Sequence, residues 1–229
     1  MQRLVLIPGL LCDERLWDEQ IAPLAERAEI SVADITGQST IAEMGAAVLK
    51  QPAQSFCLAG FSLGSQVALE IMRVCPERVE RLALLSATHG GLLPAVEAAI
   101  RQAVEVIERE GLDCYLEQVY PSYVAPARVN DESLKRTFMA MGRRVGKDAG
   151  VRQMHALLSI KAPFRNVEQI RCPTLILGGR EDRRTTPEAH QLLNEEIRGS
   201  QLVMVEGAGH FTPLEQPGMV TGALQRWMT

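Results

Sequence analysis

Short, almost unbroken apolar runs recur along the chain, separated by longer stretches in which apolar residues return every three or four positions. The runs are Arg3–Ile7, Ile30–Ala33, Phe56–Ala59, Arg81–Ser86, Thr174–Leu177 and Gln201–Val205, rich in Val, Ile and Leu. Continuous apolarity over so few residues marks strands buried on both faces. Helical spacing occupies Leu16–Arg27, Thr40–Lys50, Ser65–Val74, Ala95–Glu110, Pro187–Glu196 and Pro217–Met228. Strand and helix alternate, which predicts an α/β fold: a mainly parallel, twisted sheet of about six strands with helices on both faces. In such sheets functional groups collect beyond the carboxyl ends of the strands. Trp17, near the start of the first helical stretch, fits core packing.

The interval from Ser86 to Thr174 breaks the alternation. It holds helix-period stretches, no convincing strand, and Pro94, Pro121, Pro126 and Pro163 as punctuation. This predicts a helical cap inserted over the sheet at residues 111–165, with 1–110 and 166–229 forming the core. Residues 113–170 carry nine Lys/Arg (Arg128, Lys135, Arg136, Arg143, Arg144, Lys147, Arg152, Lys161, Arg165) against six Asp/Glu. That excess suits either a solvated helical surface or a cap that attracts an anionic substrate or an acyl carrier.

Composition narrows the class. Of 229 residues, 46% are apolar and 23% charged, ordinary proportions for a globular chain. A net charge of −4 gives no reason to expect nucleic-acid binding. The apolar runs are too short to span a bilayer, which argues against membrane insertion. The opening apolar stretch stops at Pro8-Gly9, with Asp13 and Glu14 close behind, so no secretory signal is expected. Cys12, Cys57, Cys75, Cys114 and Cys172 are scattered, with no C-x-x-C. They predict free thiols in a reducing cytoplasm, without disulfides or a zinc site.

Residues 60–64 read Gly-Phe-Ser-Leu-Gly, between a strand and a helix. G-x-S-x-G in that setting is a nucleophile elbow: a turn so tight that its flanks cannot carry bulk, holding Ser62 strained with its hydroxyl exposed. A serine hydroxyl needs a base, and the base an orienting acid. His210, in Gly207-Ala-Gly-His after the last strand, is the leading base, on a loop that the two glycines make flexible. Of the other histidines, His155 is expected to be partly buried on a cap helix and His190 to be solvated. His89, after the fourth strand, is placed at the pocket mouth. Asp182, directly after the fifth strand, is the acid candidate, with neighbouring Glu181 the runner-up. A loop carboxylate paired with Arg180, Arg183 or Arg184 is the plainer alternative. The tetrahedral oxyanion needs donors. They are the backbone N–H of Leu63, at a helix N-terminus, and the N–H of Leu10 after the first strand, with Leu11 second.

Pro8-Gly9-Leu10, Gly60–Gly64, Gly179-Arg-Glu-Asp182 followed by Pro187, and Gly207-Ala-Gly-His210 with Pro213-Leu-Glu-Gln-Pro217 together resemble the α/β-hydrolase fold superfamily. The likeness is to its compact bacterial serine esterases with a helical cap, and it spans nearly the whole chain. Pro8 stands where that family's histidine precedes the oxyanion glycine, and the antiparallel hairpin common ahead of the first strand is not expected. The expected strand order is therefore 2-1-3-4-5-6. The resemblance implies hydrolysis of a carboxylic ester (a small ester, a lactone or a thioester) through an acyl-enzyme on Ser62, with no metal or organic cofactor. A lyase-type enzyme using the same residues, or a ligand-binding protein with a vestigial site, are the alternatives. The expected partner is a small-molecule acyl substrate. Leu11, Phe61 and Phe211 flank the catalytic positions and are expected to touch it. Met139, Met141, Met154, Leu157, Leu158 and Phe164 either line the cap side of the pocket or glue the cap to the core.

Overall fold

The computed structural model describes residues 1–160, 164 and 166–229. Lys161, Pro163 and Arg165 of the insertion lie outside the described residues. Strand β1 (Gln2–Ile7) leads through a 3-10 turn, Glu14–Trp17, to α1 (Asp18–Ala25), β2 (Ala28–Val32), α2 (Ile41–Val48), β3 (Phe56–Phe61), α3 (Leu63–Val74) and β4 (Val79–Leu85). Helices α4 (Pro94–Arg109), α5 (Leu112–Tyr123), α6 (Glu132–Val145) and α7 (Lys147–Leu158) follow. Then come β5 (Thr174–Gly179), α8 (Pro187–Glu196), β6 (Gln201–Val205), the single turn α9 (Thr212–Glu215) and α10 (Pro217–Trp227). The six strands are all parallel, in the order β2-β1-β3-β4-β5-β6. The apolar runs predict such an α/β sheet, and the resemblance implies this strand order.

Alternation along each strand divides the interior in two. Leu4, Leu6, Cys57, Ala59, Phe61, Leu175 and Leu177 face α1, α10 and the inserted helices. Val5, Ile7, Leu58, Leu82, Leu84 and Ile176 face α2, α3 and α8. Trp17, Leu4, Leu6 and Ile7 are wholly buried, and each such side chain contributes about 1.5–3 kcal/mol by leaving water.

Two local departures from the sequence pattern have visible causes. The Leu16–Arg27 helix starts earlier and in two pieces, because the Asp13 side chain accepts the Arg15 N–H and nucleates a 3-10 turn. Trp17 then breaks the register before α1. Pro23 inside α1 cannot donate to the Glu19 carbonyl. The Thr221 hydroxyl on α10 donates to that carbonyl instead, at 3.4 Å, tying the two helices together.

The histidines need two corrections. His155 is exposed on α7, not partly buried. His190 is completely buried, not solvated: His190, Leu193 and Ile197 share the inner face of α8 at i, i+3 and i+7. Its Nδ1 donates to the Thr186 carbonyl at 2.9 Å. Its Nε2 lies so close to Gly178 that a Cβ there would come within 2.4 Å. Burial holds this imidazole below the ordinary histidine value, and therefore uncharged.

Of the positive side chains on the insertion, Arg128, Lys135 and Arg143 pair with Asp131, Glu117 and Asp113. Among the described residues no helix is long and apolar enough to cross a membrane.

Candidate active site

Ser62 is the residue between β3 and α3, with φ 52° and ψ −110°. A non-glycine residue in that region is strained by about 1–3 kcal/mol. The surrounding backbone holds it there. The Ser62 N–H donates to Leu85 O at 2.9 Å, and the Ser65 hydroxyl donates to Gly60 O at 2.7 Å and to Leu85 O at 3.0 Å. A Cβ on Gly60 would lie 2.3 Å from Gly64 O, and one on Gly64 would lie 2.2 Å from Ile7 O and 2.6 Å from Pro8 O. Gly64 therefore lets the start of α3 touch the loop after β1. The contact brings the neighbourhoods of Leu63 and Leu10 together.

The loop after β6 delivers His210, and the loop after β5 delivers Asp182; each is 3% exposed. His210 Nε2 lies 2.9 Å from Ser62 Oγ, and His210 Nδ1 lies 2.8 Å from Asp182 Oδ2. A carboxylate can only accept, so Nδ1 carries the proton and Nε2 is free to accept the Ser62 hydroxyl. Asp182 Oδ1 accepts the N–H groups of Arg184 at 2.8 Å and Thr185 at 2.9 Å. Burial alone would raise the Asp182 carboxyl. His210 and the two N–H donors outweigh it and hold the group below the ordinary carboxylate value.

The two oxyanion candidates on the loop after β1 differ in what they touch. The Leu11 N–H already donates to Gln153 Oε1 at 2.9 Å, in a buried bond from α7. That leaves the Leu10 N–H, on a half-buried residue, as the one on offer. Leu63 is the first residue of α3, so its N–H has no acceptor within the helix.

The remaining named residues separate into two groups. The Phe61 ring lies 5.3 Å from the His210 ring and that of Phe211 lies 6.1 Å away. Leu11, Met139, Met141 and Met154 are buried in the same apolar core as these phenylalanines. His89 is not brought to the series. Its Nε2 pairs with Glu196 Oε2, at the end of α8, at 2.9 Å.

Residues that sequence reasoning missed hold His210 in place. Its N–H donates to Tyr123 O at 2.8 Å, and its carbonyl accepts the Ser86 hydroxyl at 2.8 Å. The Tyr123 ring packs edge-on against the imidazole at 5.4 Å, and Phe138 stacks behind. Glu215, 2% exposed, accepts three backbone donors: Gly209 N at 3.0 Å, Phe211 N at 3.1 Å and Ala125 N at 2.7 Å. Burial pushes its carboxyl above the ordinary value while those donors pull the other way. A Cβ on Gly209 would come within 2.5 Å of the backbone at Val124 and Ala125. The histidine loop is therefore a clamped segment, not the flexible one that its glycines suggested. Glu215→Ala leaves the Gly209 and Ala125 N–H groups without their acceptor, at about 1–3 kcal/mol each, and leaves the Phe211 N–H only its 3.3 Å contact with Tyr123 O. We expect the thermal midpoint to fall by roughly 10 °C in a calorimetric scan.

A model of the alpha/beta hydrolase family matches residues 4–223. The chain belongs to the alpha/beta hydrolase family. It is 27% identical over 197 residues to a Klebsiella pneumoniae protein named "Putative carbamate hydrolase RutD", covering 84% of this chain and 70% of that protein. A thermophilic esterase from Thermogutta terrifontis superposes with a TM-score of 0.88 at 24% identity, over 100% of this chain and 89% of the other. The enol-lactonase from Burkholderia xenovorans LB400 gives a TM-score of 0.88 at 19% identity, over 100% and 92%. These two likenesses concern the fold. Within this alpha/beta hydrolase, the hollows lined by Gln51–Ser55 with Glu77 and Arg78, and by Met1–Arg3 with Glu80, lie at the amino ends of the strands. Ser62, His210 and Asp182 converge at the carboxyl ends.

Proposed function

We propose that this chain is a serine hydrolase that cleaves a carboxylic ester, a small ester or a lactone, through an acyl-enzyme. The observation that carries the reading is the unbroken series Ser62 Oγ, His210 Nε2, His210 Nδ1, Asp182 Oδ2, with both contacts under 3 Å and the serine on a strained elbow. Ser62 Oγ attacks the acyl carbonyl as its proton passes to His210 Nε2. The oxyanion is held by the N–H groups of Leu10 and Leu63, and the α3 N-terminus adds favourable potential. His210 gives its proton to the leaving alkoxide. In the second half water attacks, losing a proton to His210, and the carboxylic acid departs as Ser62 is re-protonated. Asp182 stays ionised and keeps Nδ1 protonated throughout. The names of the three relatives support hydrolysis at an acyl carbonyl, since carbamate, ester and enol-lactone share that centre.

A fluorophosphonate serine probe tests this. We expect one covalent adduct per chain, on the peptide containing Ser62, with parallel loss of p-nitrophenyl butyrate hydrolysis. An unlabelled chain that hydrolyses the ester at full rate would overturn the reading.

A further inference from the structure

We infer that Gln153, in the inserted helix α7, is a positioning residue that locks the oxyanion loop in its working conformer. The inference rests on the acyl-transfer reading above. The Cys12 N–H donates to Gly9 O at 3.2 Å, closing a four-residue turn over Gly9–Cys12. Leu11 has φ 55°, and Leu10 is not among the residues with positive φ. Positive φ at the third position alone is the type II pattern, which favours glycine there. A leucine in this place is strained, and the turn has an unstrained competitor. Rotating the Leu10–Leu11 peptide converts type II to type I and returns Leu11 to negative φ.

Gln153 opposes that rotation. Its side chain is wholly buried. Oε1 accepts the Leu11 N–H at 2.9 Å, while Nε2 reaches Ile35 O at 3.5 Å, on the loop after β2. The second contact fixes which end of the amide faces the turn. If the peptide flipped, the Leu10 carbonyl would take the place of the Leu11 N–H and face Oε1, oxygen against oxygen in a buried site. Gln153 therefore stabilises the strained turn and penalises the relaxed one. The Leu11 side chain seats against the same helix, where a Cβ on Gly150 would come within 2.6 Å of Leu11 Cδ2. The Leu10 N–H belongs to the preceding peptide, but Leu10 is the residue about whose ψ the flip turns, so holding the loop in one turn type holds that residue and its N–H in one place. The insertion is thus part of the oxyanion machinery as well as a cover.

Gln153→Met keeps side-chain length and removes the acceptor. We expect kcat for p-nitrophenyl butyrate to fall about 100-fold with KM within about twofold, since misplacing a positioned group by about 1 Å costs this much. Adding Leu11→Gly is expected to recover about tenfold of the lost kcat, because glycine takes positive φ without strain, even though losing the leucine lowers the thermal midpoint. If Gln153 merely packed α7, the second substitution would lower rate and stability together. Arg152→Ala, which breaks the bond from the same helix to Thr36 O, is expected to leave kcat unchanged. In the unaltered chain the Leu11 amide is expected to exchange about 100-fold more slowly than that of Leu10, a readout that needs no variant. Wild-type kcat in Gln153→Met, no recovery with Leu11→Gly, or equally fast exchange of the two amides would each overturn the inference. Fluorophosphonate labelling separates the two levels. A labelled Ser62 with an indifferent Gln153 removes only the lock, whereas an unlabelled active chain removes the acyl-transfer reading and the lock with it.

Discussion

Replacing Ser62 by alanine is expected to lower kcat/KM for a small ester by about a million-fold while leaving the fold intact. The magnitude is that of losing a serine nucleophile with the rest of its hydrogen-bonded series in place. Alanine keeps the backbone bond from residue 62 to Leu85 O and the Ser65 bonds that hold the elbow. It loses only the 2.9 Å contact to His210 Nε2. His210 stays aligned in the variant, because Tyr123, Ser86 and Asp182 hold it independently of the serine. Ser62→Gly separates the two roles of this position. Glycine tolerates φ 52°, so relief of strain is expected to raise the thermal midpoint by a few degrees as activity disappears. Ester hydrolysis at the original rate in both variants would sink the claim that Ser62 is the nucleophile.

The sheet was readable in the chain because its strands are buried on both faces. Runs such as Phe56–Ala59 and Thr174–Leu177 have no solvent side to dilute the apolar signal. The elbow was readable for a related reason: a tight turn imposes its residue types within five positions, and Gly60 and Gly64 have no room for a Cβ. Much of what supports these groups left no local trace. Gln153 meets Leu11 across 142 residues, and Glu215 meets Ala125 across 90. No short window of sequence contains either pair. His190 is different, because its signal was present. The i, i+3, i+7 spacing with Leu193 and Ile197 placed it on the buried face, and the polar residue type hid it. Glu215 also carried a hint, as a carboxylate separated only by Leu214 from the buried run Phe211-Thr-Pro213.

The inserted helices touch the site from two directions. From α5, Tyr123 accepts the His210 N–H through its carbonyl and packs its ring on the imidazole. From α7, Gln153 holds the loop that carries the Leu10 N–H. One segment of chain thus braces both the proposed base and a proposed oxyanion donor. The Ser62 elbow itself is braced by strands of the core sheet. A change that shifts the insertion is expected to disturb both supports together, whereas one confined to α2 would reach neither.

Asp182→Asn is expected to lower kcat by about ten-thousand-fold, and the reason lies in what its two oxygens do. Oδ1 accepts from Arg184 N and Thr185 N, while Oδ2 accepts from His210 Nδ1. Asparagine has one oxygen for both tasks. The two backbone donors claim it, so the amide NH₂ turns toward His210. A donor facing Nδ1 forces the imidazole proton onto Nε2, which can then give a hydrogen bond to Ser62 but cannot take its proton. Nitrogen NMR of the imidazole should show the protonated nitrogen moving from Nδ1 to Nε2. A variant with unchanged tautomer and unchanged kcat would remove Asp182 from the mechanism. Stability carries a second signature. Because the folded carboxyl is held below its ordinary value, it stabilises the chain fully above about pH 4 and less as pH falls through its lower, folded value. Asparagine has no such proton to bind, so thermal midpoints of the variant should change less than those of the unaltered chain in that acid window. The wild-type advantage should be largest near neutral pH and shrink as Asp182 is protonated.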